Sequence, residues 1–229
     1  MTSPSVIEVA TYPHLGDDFA KVFLALFTNV NNASEVRSRI IAAATVDGHH
    51  GDQERERINF AFIDAKTIVS REHLLAAIMV AIVAASHGSL TTKTVHSEVL
   101  WALNYSNNIS ESIKRFGVGN SSTSVIVVRV GDINPLDPKG PRLSATEITQ
   151  MMKAVVQGQL TSLDDVPEVT DIPLVKKYYK LNADPAIVRL GTKVPRELSA
   201  TPPRAVLDEE RRLVNEIVTS SVAMKTVLA

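Results

Sequence analysis

Residues Lys93 to Val118 read KTVHSEVLWALNYSNNISESIKRFGV, and this stretch decides the prediction of the fold. Its first part, Val95 to Leu103, carries apolar residues in loose alternation, which predicts a largely buried β-strand. The polar run Asn104 to Asn108 follows, and its side chains can bond nearby backbone amides, which is typical of a turn. A strand that enters a tight turn is therefore expected here.

A short helix is predicted directly after this turn. Asn108 is a suitable N-cap, and Glu111 three residues later can reach back to the Asn108 amide, as in a capping box. Apolar side chains recur at helical spacing on one face, namely Ile109, Ile113 and Phe116. Gly117 can adopt the left-handed conformation that ends a helix. A further strand, Ser124 to Val130, is expected to enter the same sheet.

The flanking sequence predicts strands and helices in alternation, followed mainly by helices. The predicted strands are Val6 to Ala10, Lys21 to Val30 and Phe60 to Asp64. Five helices are predicted in the flanking sequence. Asn32 with Glu35 gives a capping-box pair that opens a helix to about Ala44, and Ser70 is a suitable N-cap for a buried helix around Leu74 to Ala85. The others are a helix from Ser144 to Gly158 with a full capping box, Asp171 to Leu181, and Leu207 to Met224. This order predicts an α+β fold, with α/β as the alternative. We expect a small mixed β-sheet packed by helices, with a helical C-terminal portion.

A single domain over residues 1–229 is expected, with two flexible insertions. Residues 46–57 (VDGHHGDQERER) are polar and charged and contain glycine, so a loop is predicted. Residues 188–204 contain three prolines and little periodicity, so an extended segment is predicted.

The composition argues against several classes of protein. The 24 basic and 25 acidic residues leave a net charge of -1, so any nucleic-acid contact must come from a local patch. Cysteine is absent, which excludes disulfides, thiolate zinc sites and cysteine nucleophiles. The most apolar run, Leu74 to Ala85, is shorter than the roughly 20 residues that a membrane span needs. Met1 to Ala10 lacks the features of a signal peptide, so an intracellular protein without membrane contact is expected.

The central stretch resembles the TPRKB family, the kinase-binding subunit of the KEOPS (EKC) complex. The resemblance rests on the order of several short motifs: His96-Ser97-Glu98-Val99, Asn108-Ile109 and Arg115-Phe116-Gly117-Val118, with Phe60-Ala61-Phe62-Ile63-Asp64 upstream and Val155 to Gln159 and Lys177 to Leu181 downstream. Leu103-Asn104-Tyr105 stands where the family has Leu-Ser-Pro. The resemblance covers most of Val6 to Leu181 and resumes in the last helix.

This resemblance implies a non-catalytic protein that needs no cofactor. It implies an interface for the small atypical kinase subunit of KEOPS, indirect contact with the other KEOPS subunits, and a surface for the 3′ end of tRNA. It also implies a part in N6-threonylcarbamoyladenosine modification of tRNA and, in fungi, in telomere maintenance. The corresponding localisation is the nucleus and the cytoplasm.

The residues themselves do not form a recognisable catalytic set. His49-His50 with Asp52 and Glu54 have the chemistry of metal ligands, but a polar insertion lacks the supporting contacts that hold metal ligands in place. Gly117-Val118-Gly119 ends a helix where a phosphate-binding loop would begin one. Two alternatives stay open, a free-standing hydrolase that uses these histidines and an adaptor without RNA contact.

Two groups of residues are predicted to bind partners. The predicted tRNA-binding residues are Lys93, His96, Tyr105, Asn108, Lys114 and Arg115, which combine cations, turn amides and a ring for stacking. A structural role is their alternative, because cations in the last turn of a helix are stabilised by its dipole and a histidine on an apolar strand is more often a core residue. The predicted kinase-binding residues are Leu213, Val214, Ile217 and Val218 on the last helix. Their alternative role is to pack on the protein's own core.

Overall fold

The sheet at the centre of the protein has five strands. The structure is a computed structural model that describes residues 7–134, 139–192 and 202–226. The strands are β1 (Glu8–Thr11), β2 (Lys21–Thr28), β3 (Ala61–Asp64), β4 (Val125–Val130) and β5 (Gln159–Thr161). They lie in the order β1-β2-β4-β3, and β5 pairs with β2 beyond the end of β1. All of these pairings are antiparallel, so the expectation of a mixed sheet was wrong in this respect.

The described residues contain ten α-helices that pack on this sheet, which confirms the predicted α+β class. Their bounds are α1 (Ala33–Thr45), α2 (Gly48–Arg57), α3 (Arg71–Ser86), α4 (Val95–Leu103), α5 (Ile109–Phe116), α6 (Ala145–Val155), α7 (Val166–Val169), α8 (Ile172–Tyr178), α9 (Pro185–Thr192) and α10 (Arg204–Ala223). None of these helices is both long enough and apolar enough to cross a membrane.

Strand β2 separates two hydrophobic clusters because its side chains alternate between the two faces of the sheet. Val22, Leu24 and Leu26 pack with α3, α4, α8 and α10 on one face. Phe23, Ala25 and Phe27 pack with α1 and α6 on the other. Helix α3 lies at the centre of the first layer, where it contacts both α4 and α10. Its N-cap is Ser70, as predicted, and its Oγ accepts a bond from the His73 amide.

The largest error of the sequence prediction concerns residues 95–103, which form helix α4 and not a strand. Thr94 and Ser97 form a reciprocal capping box at its start. The buried carboxylate of Glu98 then accepts hydrogen bonds from the amides of Thr91 and Thr92, at 3.1 and 2.7 Å, and so ties the preceding loop to the helix. Because α4 is buried on several sides, its apolar residues do not form one narrow stripe, and the sequence pattern resembled that of a buried strand.

The predicted loop at residues 46–57 is also wrong, because residues 48–57 form helix α2. This helix has almost no apolar residues of its own. It is held to α1 by an Arg39–Glu54 ion pair of 2.7 Å and by Arg55, whose guanidinium donates to the carbonyl of Ala43 at 2.8 Å. Tertiary contacts of this kind replace the apolar stripe by which a helix is recognised in a sequence.

The predicted extended segment at residues 188–204 is helical over most of its described residues, and residues 202–203 lie outside a helix. Residues 188–192 belong to α9, and α10 begins at Arg204. The rest of the prediction, residues 193–201, lies outside the described residues.

Two predicted helix-end signals have other roles. Asn32 precedes α1, but its side chain makes no capping bond. It instead bonds the end of α6, donating to the carbonyl of Val155 at 3.0 Å and accepting from the amide of Gln157 at 2.9 Å. Gly117 is extended, with a φ of -70°, and not left-handed. Glycine is needed there because a Cβ would lie 2.5 Å from the carbonyl oxygen of Ile113.

Candidate functional site

The turn between α4 and α5 is held by its own polar side chains. The Asn104 amide donates to Ser106 Oγ at 3.0 Å and to the Asn108 carbonyl at 3.4 Å. Asn108 caps α5, as predicted, by accepting a bond from the Glu111 amide at 3.1 Å. Ser106 donates in turn to the Glu111 carboxylate, which lowers the pKa of Glu111. These bonds fix the backbone of residues 104–108 in one conformation.

A cation from the end of α10 lies beneath this turn. The Lys225 ammonium donates to the carbonyls of Asn104 and Ser106, at 2.7 and 2.9 Å. It also lies 4.4 Å from the centre of the Trp101 ring. Only 6% of Lys225 is exposed. Burial lowers its pKa to about 8, against a weaker opposing effect of the Glu98 charge.

Further cations and rings surround the turn on its exposed side. Tyr105 is 57% exposed, and the Lys180 ammonium lies 5.0 Å from the centre of its ring. The Arg115 guanidinium is 5.3 Å from the centre of the Tyr178 ring, 2.5 Å from Glu111 and 3.4 Å from Asn104 Oδ1. We call Tyr105, Asn108, Arg115 and Lys180 the turn surface.

An open cleft of about 340 Å³ adjoins the turn surface. It is lined by Ala102, Asn104, Tyr105, Ser106, Asn107, Tyr179, Ser221, Val222 and Lys225. Exposed aromatic and amide groups beside lysine and arginine are the groups that bind unpaired nucleotides, by stacking on bases and by attracting phosphates. The arrangement can therefore hold a short single-stranded segment.

The structure brings three of the six predicted tRNA-binding residues together: Tyr105, Asn108 and Arg115. Lys114 is exposed in the last turn of α5. Lys93 is also exposed, but it precedes α4. The nine residues of α4 span about 13 Å between Lys93 and the turn.

The sixth residue, His96, is a core residue whose side chain does not line the turn surface. His96 is 6% exposed, and its Nε2 accepts a hydrogen bond of 3.0 Å from the amide of Val130. Burial, helped by the charge of Arg129, lowers its pKa to about 3. The ring of His96 is therefore neutral and engaged with the sheet.

The predicted kinase-binding residues on α10 divide between the core and its edge. Val214 and Val218 are fully buried in the cluster that contains α3. Leu213 and Ile217 are partly buried beside them. Ile217 lines an open groove of about 400 Å³ with Glu216, Ser220, Ser221 and Met224. Met224 is 47% exposed, so the outer edge of α10 offers an apolar surface that the described part of the chain does not cover.

Three residues of the alternative hydrolase site, His49, Asp52 and Glu54, have partners on α1 or α2. Asp52 pairs with Arg55 at 2.6 Å, Glu54 pairs with Arg39, and a His49 ring nitrogen lies 3.1 Å from the Gln53 amide nitrogen. Across the described part of the chain, no three His, Asp or Glu side chains are grouped so that they could hold a metal ion.

Sequence reasoning missed the two lysines nearest the turn, Lys180 and Lys225. Lys180 follows α8 with a φ of 58°, and Lys225 follows α10. Both are far from the turn in sequence and reach it only through packing of α8 and α10. A single sequence carries no signal for such a contact.

These features define an α+β protein with cations and aromatic rings around one turn and an apolar edge on its last helix. Comparison with known families gives a match to the model described as kinase binding protein CGI-121, over residues 27–226. The chain therefore belongs to the CGI-121 family, which is the TPRKB family that the sequence resemblance predicted.

Several relatives are fungal proteins named as subunits of one complex. The EKC/KEOPS complex subunit CGI121 of Cryptococcus neoformans var. neoformans serotype D (strain JEC21) is 31% identical, over 97% of this chain and 100% of its own length. The protein of the same name from Gibberella zeae is 34% identical, over 77% of this chain and 83% of its own length. The protein of the same name from Yarrowia lipolytica is 32% identical, over 79% of this chain and 89% of its own length.

Proposed function

We propose that this protein is a non-catalytic subunit of a KEOPS (EKC) complex that binds and supports the small atypical kinase of that complex. The observation that carries this proposal is the family match, which spans nearly all of the described residues, together with relatives named as subunits of this complex. In this role the chemistry belongs to the partner proteins, and this chain contributes binding surfaces.

The proposed kinase-binding surface is the exposed edge of α10. Val214 and Val218 hold the helix on α3, which leaves Ile217, Ser220 and Met224 to face a partner. The test is binding to the purified kinase by calorimetry. Ser220→Arg and Met224→Glu change exposed positions only, and together they are expected to weaken binding by at least about tenfold, the equivalent of ~1.4 kcal/mol.

A matched control for this test is available on the same helix. Leu207 is 41% exposed near the start of α10, far from Met224, so Leu207→Glu is expected to leave kinase affinity unchanged. Normal kinase binding by the Ser220→Arg/Met224→Glu protein would show that the kinase binds another surface of this protein.

We also propose that the turn surface helps to recruit tRNA, through its single-stranded 3′ end, for N6-threonylcarbamoyladenosine modification. The supporting observation is the exposed Tyr105 ring, which the Lys180 ammonium contacts, together with Arg115, which donates to the neighbouring Asn104. Stacking of a base on an aromatic ring contributes about 1–3 kcal/mol. Tyr105→Ala is therefore expected to weaken tRNA binding by about five- to 150-fold.

Fluorescence anisotropy with intact tRNA and with tRNA lacking its 3′-terminal nucleotides measures this effect. Lys153→Ala is the matched control, because Lys153 is exposed on α6, which packs on the other face of the sheet. Charge reversal of Lys93, Lys114 and Arg115 together is a broader test. Unchanged tRNA affinity with intact kinase binding in that variant would favour an adaptor without RNA contact.

Telomere maintenance in fungi, and residence in both nucleus and cytoplasm, are further parts of the proposal. They rest on the resemblance to the family. Measurement of telomere length after gene deletion, with a fluorescently tagged copy to follow localisation, tests both. Telomeres of normal length in the deletion strain would remove the telomere role and leave the tRNA role untouched.

A further inference from the structure

Lys225 is buried at the place where α10 meets the α4–α5 turn. Its ammonium donates to the carbonyls of Asn104 and Ser106, which are the residues on either side of Tyr105. Trp101 contacts the same ammonium through its ring and donates through Nε1 to the Asn107 carbonyl at 3.3 Å. Lys225 and Trp101 therefore hold the backbone at three positions of the turn.

Burying a lysine in this space is energetically unfavourable. Removing an ammonium from water costs free energy, whereas a methionine of similar length would pack against the same neighbours without that cost. What the ammonium adds is a set of donors that a methionine lacks, and two of its three N–H groups are used by the turn carbonyls. The physical gain from the lysine is thus the conformation of the turn.

The direction of the Tyr105 ring depends on this conformation. The ring is mostly exposed, and the Lys180 ammonium is its partner. Its orientation is therefore set mainly by the backbone on either side, which is the backbone that Lys225 holds. Helix α10 is itself fixed by Val214, Val218 and Val222 in the core. Lys225 therefore links the turn to a part of the protein that is held in place.

We propose that Lys225 is a positioning residue, which fixes the α4–α5 turn so that Tyr105 and its neighbours are presented to a single-stranded nucleic acid. The part of this statement that concerns the ligand rests on the proposed tRNA role. The part that concerns the turn does not, and the two are measured separately.

Hydrogen exchange of backbone amides in the full-length protein tests the effect on the turn. Lys225→Met removes the donors and keeps a side chain of similar length. The amides of Asn104, Asn108 and Glu111 donate hydrogen bonds at this turn. They are expected to exchange about tenfold faster, as for the loss of hydrogen bonds to a charged group, while those of α3 stay unchanged. Lys153→Met is the matched control, since Lys153 is exposed on α6, which packs on the other face of the sheet.

Binding of a short single-stranded RNA tests the effect on the ligand. Lys225→Met is expected to weaken binding about as much as Tyr105→Ala, and Lys225→Arg, which restores donors, is expected to recover part of the affinity. Normal exchange at the turn in Lys225→Met overturns the proposal, and so does faster exchange with unchanged RNA affinity. If the wild-type protein binds no RNA, the tRNA role fails, and the exchange data still decide whether Lys225 holds the turn.

A measurement on the wild-type protein covers the case in which Lys225→Met does not fold. A hydrogen-bonded ammonium exchanges its protons slowly and gives a separate ¹⁵Nζ signal in NMR spectra, with contacts to the Trp101 ring. A Lys225 signal like that of the exposed lysines would overturn the proposal.

Discussion

Acidification from pH 7 to pH 5 is expected to destabilise this protein by about 4 kcal/mol, because two neutral histidines are buried in its core. Burial lowers the pKa of His73 and of His96 from 6.5 to about 3. Between pH 6.5 and pH 3 the unfolded chain binds protons that the folded protein does not. Stability is therefore present above pH 6.5 and is lost as the pH falls.

Hydrogen bonds act in the same direction as burial and favour the neutral form of both rings. The Val69 amide donates to Nδ1 of His73, and the Val130 amide donates to Nε2 of His96. A proton on either nitrogen would face an N–H group. The other nitrogen of His73, Nε2, lies 2.9 Å from the hydroxyl of Tyr179, which donates in turn to the Leu103 carbonyl. This chain of bonds requires the neutral ring.

The magnitude follows from the pKa shift. The pKa of a histidine in the unfolded chain lies about 1.5 units above a solution pH of 5, and each unit corresponds to about 1.4 kcal/mol. Each histidine therefore accounts for ~2 kcal/mol of the lost stability. Burial raises the pKa of Glu56, so this group offsets part of the loss as the pH falls, whereas two other carboxylates contribute only at lower pH. The pKa values of Glu111 and Glu147 are lowered by hydrogen bonds from Ser106 and Ser144, so their contributions are lost only below about pH 4.5.

Urea denaturation at pH 7 and pH 5 measures the effect. His73→Asn and His96→Gln place an amide oxygen where the ring nitrogen accepts its bond, and each is expected to halve the loss to about 2 kcal/mol. The exposed His87 at the end of α3 provides the control, and His87→Gln is expected to leave the loss unchanged. The reasoning is refuted if wild type loses less than about 1 kcal/mol, or if the double variant loses as much as wild type.

The remaining predictions concern stability and are read from the same denaturation experiment. Tyr179→Phe removes a buried hydroxyl with two hydrogen-bond partners and is expected to lower the free energy of unfolding by about 2–4 kcal/mol. Tyr178 is the next residue in the sequence but is partly exposed, so Tyr178→Phe is the control and is expected to be nearly neutral. Thr94→Ala breaks the capping box of α4 and is expected to cost about 1 kcal/mol; no loss would mean that α4 does not depend on its cap. Arg129→Met removes the cation that stabilises the partly buried Glu56 charge, so it is expected to destabilise the protein by about 2 kcal/mol. Adding Glu56→Gln is expected to restore part of this stability. Additive effects of the two substitutions would rule out an interaction between Arg129 and Glu56.

The sequence located the helices whose starts depend on local bonds. Ser70, Asn108 and Ser144 were predicted as N-caps, and each accepts the expected bond from the amide three residues later. A cap involves neighbours within one turn, so its signal survives in a single sequence. Asn32 has the same pattern but bonds the end of α6 instead, because tertiary contacts can compete for the same side chain.

The prediction failed where packing decides the structure. Helix α2 has no apolar stripe and depends on contacts with α1, and α4 is buried on so many sides that periodicity does not distinguish it from a strand. The residues around the α4–α5 turn also include some that only packing brings there. Tyr105 and Asn108 could be found because they lie in the turn itself, but Lys180 and Lys225 reach it from helices more than 70 residues away.

The helical nature of α4 changes how the two proposed surfaces are related. As a strand, residues 95–103 would extend for about 30 Å, and their ends would be far from each other. As a helix of about half that length, α4 packs on α3, which also carries α10. The turn surface and the edge of α10 consequently belong to one helical layer on the same face of the sheet, joined directly by Lys225. A kinase on the edge of α10 and an RNA strand on the turn surface would therefore be held in a fixed relation, which is the arrangement that a non-catalytic subunit needs in order to bring a substrate to a partner.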